Sequence, residues 1–298
     1  MSNEQAYPEL AAEDPQLAGE LAFEEFCTPE LSRHRSGDHD QLVERARFHL
    51  RNGMPTRVPT SVGELQAYVF EPDRAKRATV LFIHGWTGEA SFMTAFAEQF
   101  RKRGFRAVVF DLPAHGKSAG KRTSLIACAH AVRQVAEALG PVHFAVGHSL
   151  GGLAALLAGG GGPPMPRAYP FLAFVLVSVP NRFSNVTSRF GEELSLSPAA
   201  QHVYERRLED IACRRIVDFT AANLLVATGR PALLLHARDD ADVAFADAKE
   251  IMAGCPGAVL LAFDDLGHRK ILYAPPVVRA AISYLGAQRE QIVSPELC

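Results

Sequence analysis

A serine can serve as a nucleophile only if its hydroxyl is exposed and its neighbours leave room for a sharp turn. Gly147-His148-Ser149-Leu150-Gly151 meets that steric demand. The pentapeptide closes the apolar run Val142–His148 and opens a second apolar segment, Leu150–Ala158. A strand-to-helix turn of this kind holds the serine in strained backbone, so the residues two before and two after it must be small. The helix N-terminus behind the serine favours developing negative charge. Ser149 is the candidate nucleophile.

Acyl transfer by such a serine needs a base, a carboxylate to orient that base, and two N–H donors for the oxyanion. Of the eleven histidines, only His268 combines a loop after an apolar run, a preceding glycine (Gly267) and a position late in the chain. Carboxylates cluster after Ala232–His236, at Asp239, Asp240 and Asp242. Asp240, in an Asp-x-x-Val turn, is the first choice; Asp239 and Asp242 stay open as alternatives, with turn and helix-cap roles as their competing explanations. One oxyanion donor is the backbone N–H of Leu150, the residue after the nucleophile. The other is Trp86, in Phe82-Ile83-His84-Gly85-Trp86-Thr87-Gly88. His84 reads as structural, holding that loop through a side-chain hydrogen bond.

These residues must be positioned by something, and the hydrophobic pattern says what. Thr56–Thr60 and Glu64–Phe70 flank Ser61-Val62-Gly63 as a hairpin. Six further runs follow: Ala78–His84, Phe105–Asp111, Val142–His148, Phe171–Val179, Ala232–His236 and Ala258–Phe263. Their continuity predicts strands covered on both faces. Between them lie helical periods, such as Phe92, Phe96 and Phe100 within 92–103, and the stripe over 124–139. The alternation predicts an α/β fold with a mostly parallel, eight-stranded, doubly wound sheet. Gly159–Gly162 with Pro163-Pro164 must end the helix after Ser149.

Three segments divide the chain. Residues 1–50 form an acidic and polar extension: up to Ser32 they hold eight carboxylates and no Lys or Arg, followed by the polar stretch Arg33–Asp40 and a short helix over Gln41–Arg51. This part reads as a tail wrapping the domain, with no functional role. Residues 51–180 and 231–298 form the core. Residues 181–230 form a small helical cap, with pieces from Glu192-Glu193 onward, over Pro198–Cys213 and over Ile216–Ala227. Its apolar residues Phe183, Val186, Phe190, Leu194, Leu196 and Tyr204 either contact an acyl group or pack the cap down.

Composition narrows the function classes. A net charge of -2 over 298 residues gives no basic surface for nucleic acid. Five scattered cysteines without a C-x-x-C pair fit neither a disulfide scaffold nor a zinc site. No apolar stretch approaches the ~20 residues of a membrane span. The expectation is a cytoplasmic protein acting on a small molecule, with no cofactor and no metal.

On the order Ser149, Asp240, His268, together with His84-Gly85-Trp86-Thr87-Gly88 and Asp111-Leu112-Pro113-Ala114-His115-Gly116-Lys117-Ser118, the chain resembles the α/β-hydrolase superfamily. Bacterial esterase-like and lipase-like serine hydrolases are the most similar. The resemblance spans roughly residues 56–287. It departs at Ala114 and Ala237, where the family often has glycine. It implies hydrolysis of carboxylic esters of short to medium acyl length through an acyl-enzyme. A serine nucleophile sets the chain apart from the dehalogenases and epoxide hydrolases of this fold. Thioesterases, lactonases and acyltransferases share the same residues, and a ligand-binding protein without turnover is the alternative from another class.

Overall fold

In the computed structural model, residues 13–29, 44, 46–73 and 78–293 are described. Eight strands form one sheet: β1 Met54–Thr60, β2 Gly63–Phe70, β3 Thr79–Ile83, β4 Arg106–Phe110, β5 Phe144–His148, β6 Ala173–Val177, β7 Ala232–Ala237 and β8 Ala258–Phe263. Their order is β1-β2-β4-β3-β5-β6-β7-β8. The first two strands pair antiparallel through a tight turn at Ser61-Val62, and β2 also runs antiparallel to β4. All pairings from β4 through β3 to β8 are parallel. The expected sheet is therefore present.

Parallel strands in the middle of such a sheet need cover on both faces, and their side chains alternate to supply it. Leu81, Ile83, Val108, Phe110 and Ala145 face one core. Val80, Phe82, Val109 and Val146 face the other. Among the described residues, the helices around these faces begin with α1 Pro15–Phe26, α2 Thr94–Lys102, α3 Leu125–Ala138 and α4 Leu150–Gly160. They are followed by α5 Phe183–Glu193, α6 Pro198–Ala212, α7 Ala221–Thr228, α8 Phe245–Gly254, α9 Gly267–Lys270 and α10 Pro275–Val293. The chain reverses its winding direction at β3, which pairs with both β4 and β5. Ligands of open α/β sheets bind at the carboxyl ends of the strands beside such a switch point.

Three expectations need correction. The run Ala258–Phe263 is not covered on both faces: β8 is the sheet edge, and Val259 and Leu261 are 47% and 41% exposed. An unbroken apolar run cannot distinguish a central strand from an edge whose outer face lies open. In the 181–230 segment a helix ends at Glu193 rather than beginning near it. Phe183, Thr187 and Gly191 bury one stripe of α5, so tertiary contact overrides the weak helix propensity of Phe-Ser-Asn-Val-Thr-Ser. The last piece is split: a 3-10 turn spans Ile216–Asp218, and Thr220 then caps α7 by accepting the Asn223 N–H at 3.1 Å.

At the N-terminus, Pro15–Phe26 is a helix. Asp14 caps it by accepting the Leu17 N–H at 3.0 Å, and Pro15 sits at its first turn. Residues 46–50 are also helical. The stretch Arg33–Asp40 and residues 41–43 lie outside the described residues. Among the described residues, no helix is long and apolar enough to cross a membrane.

Candidate active site

Ser149 lies between β5 and α4 with φ 51° and ψ −127°. That is a strained conformation for a residue with a side chain, and it needs its surroundings to enforce it. The neighbouring glycines show how. A Cβ on Gly147 would lie 2.5 Å from the Cα of Gly152, and one on Gly151 would lie 2.3 Å from the carbonyl oxygen of His84. Backbone meets backbone at both points, so only hydrogen fits. Leu150 opens α4, where the first N–H groups of a helix lack intrahelical partners.

The loop after β3 is held as its sequence suggested. His84 is fully buried; its Nδ1 donates to the Gly85 carbonyl at 2.8 Å, and its Nε2 accepts the Leu112 N–H at 2.9 Å. Burial lowers its pKa to about 4, so the ring stays neutral and keeps both roles. Trp86 follows in this turn, closed by the Gly88 N–H donating to the Gly85 carbonyl at 3.1 Å.

Asp240 and His268 meet. His268 Nδ1 donates to Asp240 Oδ2 at 2.9 Å. The other carboxylate oxygen accepts the Asp242 and Val243 N–H groups at 3.0 and 2.9 Å. Burial alone would raise the Asp240 carboxyl, but the hydrogen bond and charge of His268 outweigh it and bring its pKa down to about 2. The bond at Nδ1 leaves Nε2 as the basic nitrogen of His268.

The two carboxylates weighed as alternative acids make other contacts. Asp239 accepts the Leu266 N–H at 3.3 Å and the Gly267 N–H at 3.0 Å, tying down the loop that delivers His268. Gly267 there has φ +52°, the left-handed region where a side chain is strained. His268 itself lies in the first turn of the short helix α9 rather than in open loop. Asp242 lies 3.9 Å from Arg189 of α5.

Sequence reasoning missed two contributors near His268. His148 Nε2 donates to the His268 carbonyl at 2.9 Å, and the two rings stand 4.6 Å apart. Burial, then the charge of His268, holds the pKa of His148 well below the usual histidine value. His236 donates to the Val243 carbonyl at 2.9 Å and braces the turn that carries Asp240. Neither has a signal beyond its place at a strand end.

A cavity of about 370 Å³ is lined by Ser149, Asp240, His268, Trp86 and Leu150, and so collects every residue singled out for chemistry. Its size is that of a small-molecule site. From the 181–230 segment, Val186 and Phe190 line it. Phe183, Leu194 and Tyr204 are buried in the core, with Leu196 partly buried against it. The cavity is also lined by Glu25 and Phe26 of α1, which the sequence reading left without a role. Their signal was present: Asp14-Pro15 starts a helix, and Ala18, Ala22, Phe23 and Phe26 make a stripe at helical spacing. Among the described residues no cluster of three or more His, Cys, Asp or Glu is arranged to hold a metal ion.

Farther out, the buried Asp111 carboxylate accepts the Ala90 and Lys117 N–H groups at 2.7 and 2.9 Å. It thereby fixes the turn 111–118 to the segment carrying Phe92, another residue of the cavity wall. Burial pushes its pKa up to about 6. Ala114, one of the two departures from the family pattern, has φ +62° in this turn.

A family model described as the alpha/beta hydrolase family matches residues 80–281. No curated protein sequence matches the chain. Among solved structures, the chain is similar to Est1E of Butyrivibrio proteoclasticus with ferulic acid bound: 20% identity, 78% of this chain and 98% of that one covered, TM-score 0.64. It is also similar to an esterase of Pyrococcus furiosus, at 19% identity over 81% and 92% of the two chains with TM-score 0.59. A thermophilic esterase of Thermogutta terrifontis shares 19% identity over 79% and 99%, with TM-score 0.56.

Proposed function

Since this chain belongs to the α/β-hydrolase family, its match covering residues 80–281, we propose that it is a serine hydrolase of carboxylic esters with short to medium acyl chains. The observation that carries this reading is the 2.9 Å bond between His268 Nδ1 and Asp240 Oδ2, in the cavity that the strained Ser149 also lines. Ser149 attacks the ester carbonyl, and His268 Nε2 takes the hydroxyl proton. The backbone N–H groups of Trp86 and Leu150 stabilise the oxyanion. As the tetrahedral intermediate collapses, His268 returns the proton to the departing alcohol and leaves an acyl-Ser149. Water, activated by the same histidine, then releases the acid. Asp240 keeps the imidazole in the tautomer this cycle needs. The core spans 51–180 and 231–298, and residues 181–230 act as the cap over the acyl site.

Charge in the cavity favours esters over thioesters of polyanionic carriers. Apart from Asp240, the carboxylates Glu25, Glu193, Asp242 and Asp247 outnumber the guanidinium groups of Arg189 and Arg269. Arg189 is further occupied by Glu193 at 3.2 Å and by the Ala241 and Asp242 carbonyls. A phosphate-rich leaving group would meet net negative charge there, whereas a neutral alcohol would not.

The test is Ser149→Ala assayed on activated esters, with a fluorophosphonate probe on the unaltered protein. The substitution should lower kcat by about 10⁶, and the probe should label Ser149 and stop turnover. Ester hydrolysis that survives Ser149→Ala undiminished overturns the proposal. Labelling without turnover on a broad ester panel would favour a binding protein instead.

A further inference from the structure

The cavity wall is not built by the sheet and cap alone. The helix α1 buries Ala18, Gly19, Ala22, Phe23 and Phe26. Against it lies α6, and the approach is close: a Cβ on Gly19 would stand 2.5 Å from the Cβ of Val203 and 2.6 Å from the Ala200 carbonyl oxygen. Small residues on one face let two helix backbones approach in this way, so the seat is specific to this register. Polar contacts fix the rim. Arg207 pairs with Glu20 at 3.0 Å and Arg122 with Glu24 at 2.9 Å. Just past the helix, the Cys27 carbonyl accepts the Thr123 N–H at 2.8 Å, which binds the end of α1 to the core.

This anchoring delivers one ring to the site. Phe26 is 7% exposed and stacks on Trp86 at 5.8 Å and 17°. It meets Phe190 edge-on at 5.1 Å and Tyr204 at 5.4 Å. Phe26 therefore sits between the loop after β3 and the two cap helices α5 and α6, with Val186 and Leu153 as further apolar walls of the same cavity. A chain of methylenes extending from an acyl group on Ser149 would run along these apolar walls. The ring that closes them belongs to neither the sheet nor the cap.

We propose that α1 supplies the end wall of the acyl pocket and that Phe26 is a specificity-determining residue that limits acyl-chain length. The inference rests on the ester-hydrolase reading of Ser149. Each methylene that finds an apolar wall raises kcat/KM by about 4-fold, so moving the wall changes the preference steeply with chain length. Trp86 carries a proposed oxyanion donor, so a shift of Phe26 will also lower turnover on every ester to some degree. The diagnostic quantity is for that reason the ratio of kcat/KM for long over short acyl esters rather than either value alone.

The experiment measures kcat/KM on p-nitrophenyl esters of graded acyl length for the unaltered protein, Phe26→Ala, Phe26→Leu and Phe26→Trp. Shortening the side chain should raise the long-to-short ratio by at least about 10-fold for Phe26→Ala and by less for Phe26→Leu. Phe26→Trp should lower that ratio. If Phe26→Ala does not fold, the opposite shifts of the Leu and Trp variants decide the matter. A ratio that is unchanged while all esters lose activity together means a purely structural ring and overturns the proposal. Failure of the underlying reading looks different: the unaltered protein would then hydrolyse no ester of any length, or Ser149→Ala would hydrolyse them equally.

Discussion

Ser149 leaves a strand walled in on both faces, whereas His268 follows a strand whose outer side is open. All five residues of β5 are buried, and its neighbours β3 and β6 cover both edges. On β8 the edge is free, and Val259 and Leu261 reach solvent. The two proposed reacting groups are consequently held by different physics. Around Ser149 the confinement is steric, with glycines 147 and 151 pressed against other backbone. Around His268 it is polar: Asp240 on the ring, His148 on the carbonyl, Asp239 on the two N–H groups before it. Steric confinement is lost only when the core opens, while a hydrogen-bonded edge loop can open by itself. The His268 side is thus where local fluctuation should first remove the proposed activity.

The largest test of that contrast is Asp240→Asn. It keeps the shape of the turn but reverses the hydrogen-bond polarity at His268 Nδ1, and kcat should fall by about 10⁴ with the fold retained. A loss below about 10-fold would mean that the remaining ties hold the base unaided. Next comes acid. His84 is protonated near the ordinary histidine value in the unfolded chain, but only near 4 when folded. Its contribution is present at neutral pH and is lost as the pH falls through that window, amounting to about 3 kcal/mol at 1.36 kcal/mol per unit. Urea unfolding at pH ~7 and pH ~4.5 should show this loss in the native protein and much less of it in His84→Gln. An equal pH response in both would show that the loop after β3 does not depend on a neutral ring. The smallest effect belongs to Asp239→Ala, which removes the acceptor of the Leu266 and Gly267 N–H groups. Activity should drop about 10-fold, and amide exchange should quicken over residues 264–268 but not over 144–148. Uniform quickening across both segments would erase the distinction between the two sides.

The strands that carry the proposed chemistry were legible because each is followed within a few residues by a residue type that such chemistry requires. Ser149, Asp240 and His268 could be placed after β5, β7 and β8 from apolar runs alone, and those runs lie within a residue or two of the strands observed. Local signals failed where distant contacts decide. The edge position of β8 follows from strand order, which no run of six residues encodes. The helix α5 forms because Phe183, Thr187 and Gly191 find cover. His148 could be read only as the variable position of a pentapeptide, since its partner lies after the last strand. The choice among Asp239, Asp240 and Asp242 likewise depended on where the loop after β8 returns. The helix α1 had a readable start and stripe, but nothing in the sequence said which surface the stripe would meet.

That meeting has a consequence for how the molecule is made. Phe26 lies near the beginning of the described chain and its partners Phe190 and Tyr204 lie beyond most of the sheet. During synthesis the apolar stripe of α1 leaves the ribosome long before α6 exists to receive it. Contacts between segments so far apart in sequence carry the largest loop-closure cost and form late. The nascent chain can therefore build its central strands and the turn at Ser149 while the far end of the cavity is still open. Chain-length selectivity would then be acquired only after the turn at Ser149 has formed.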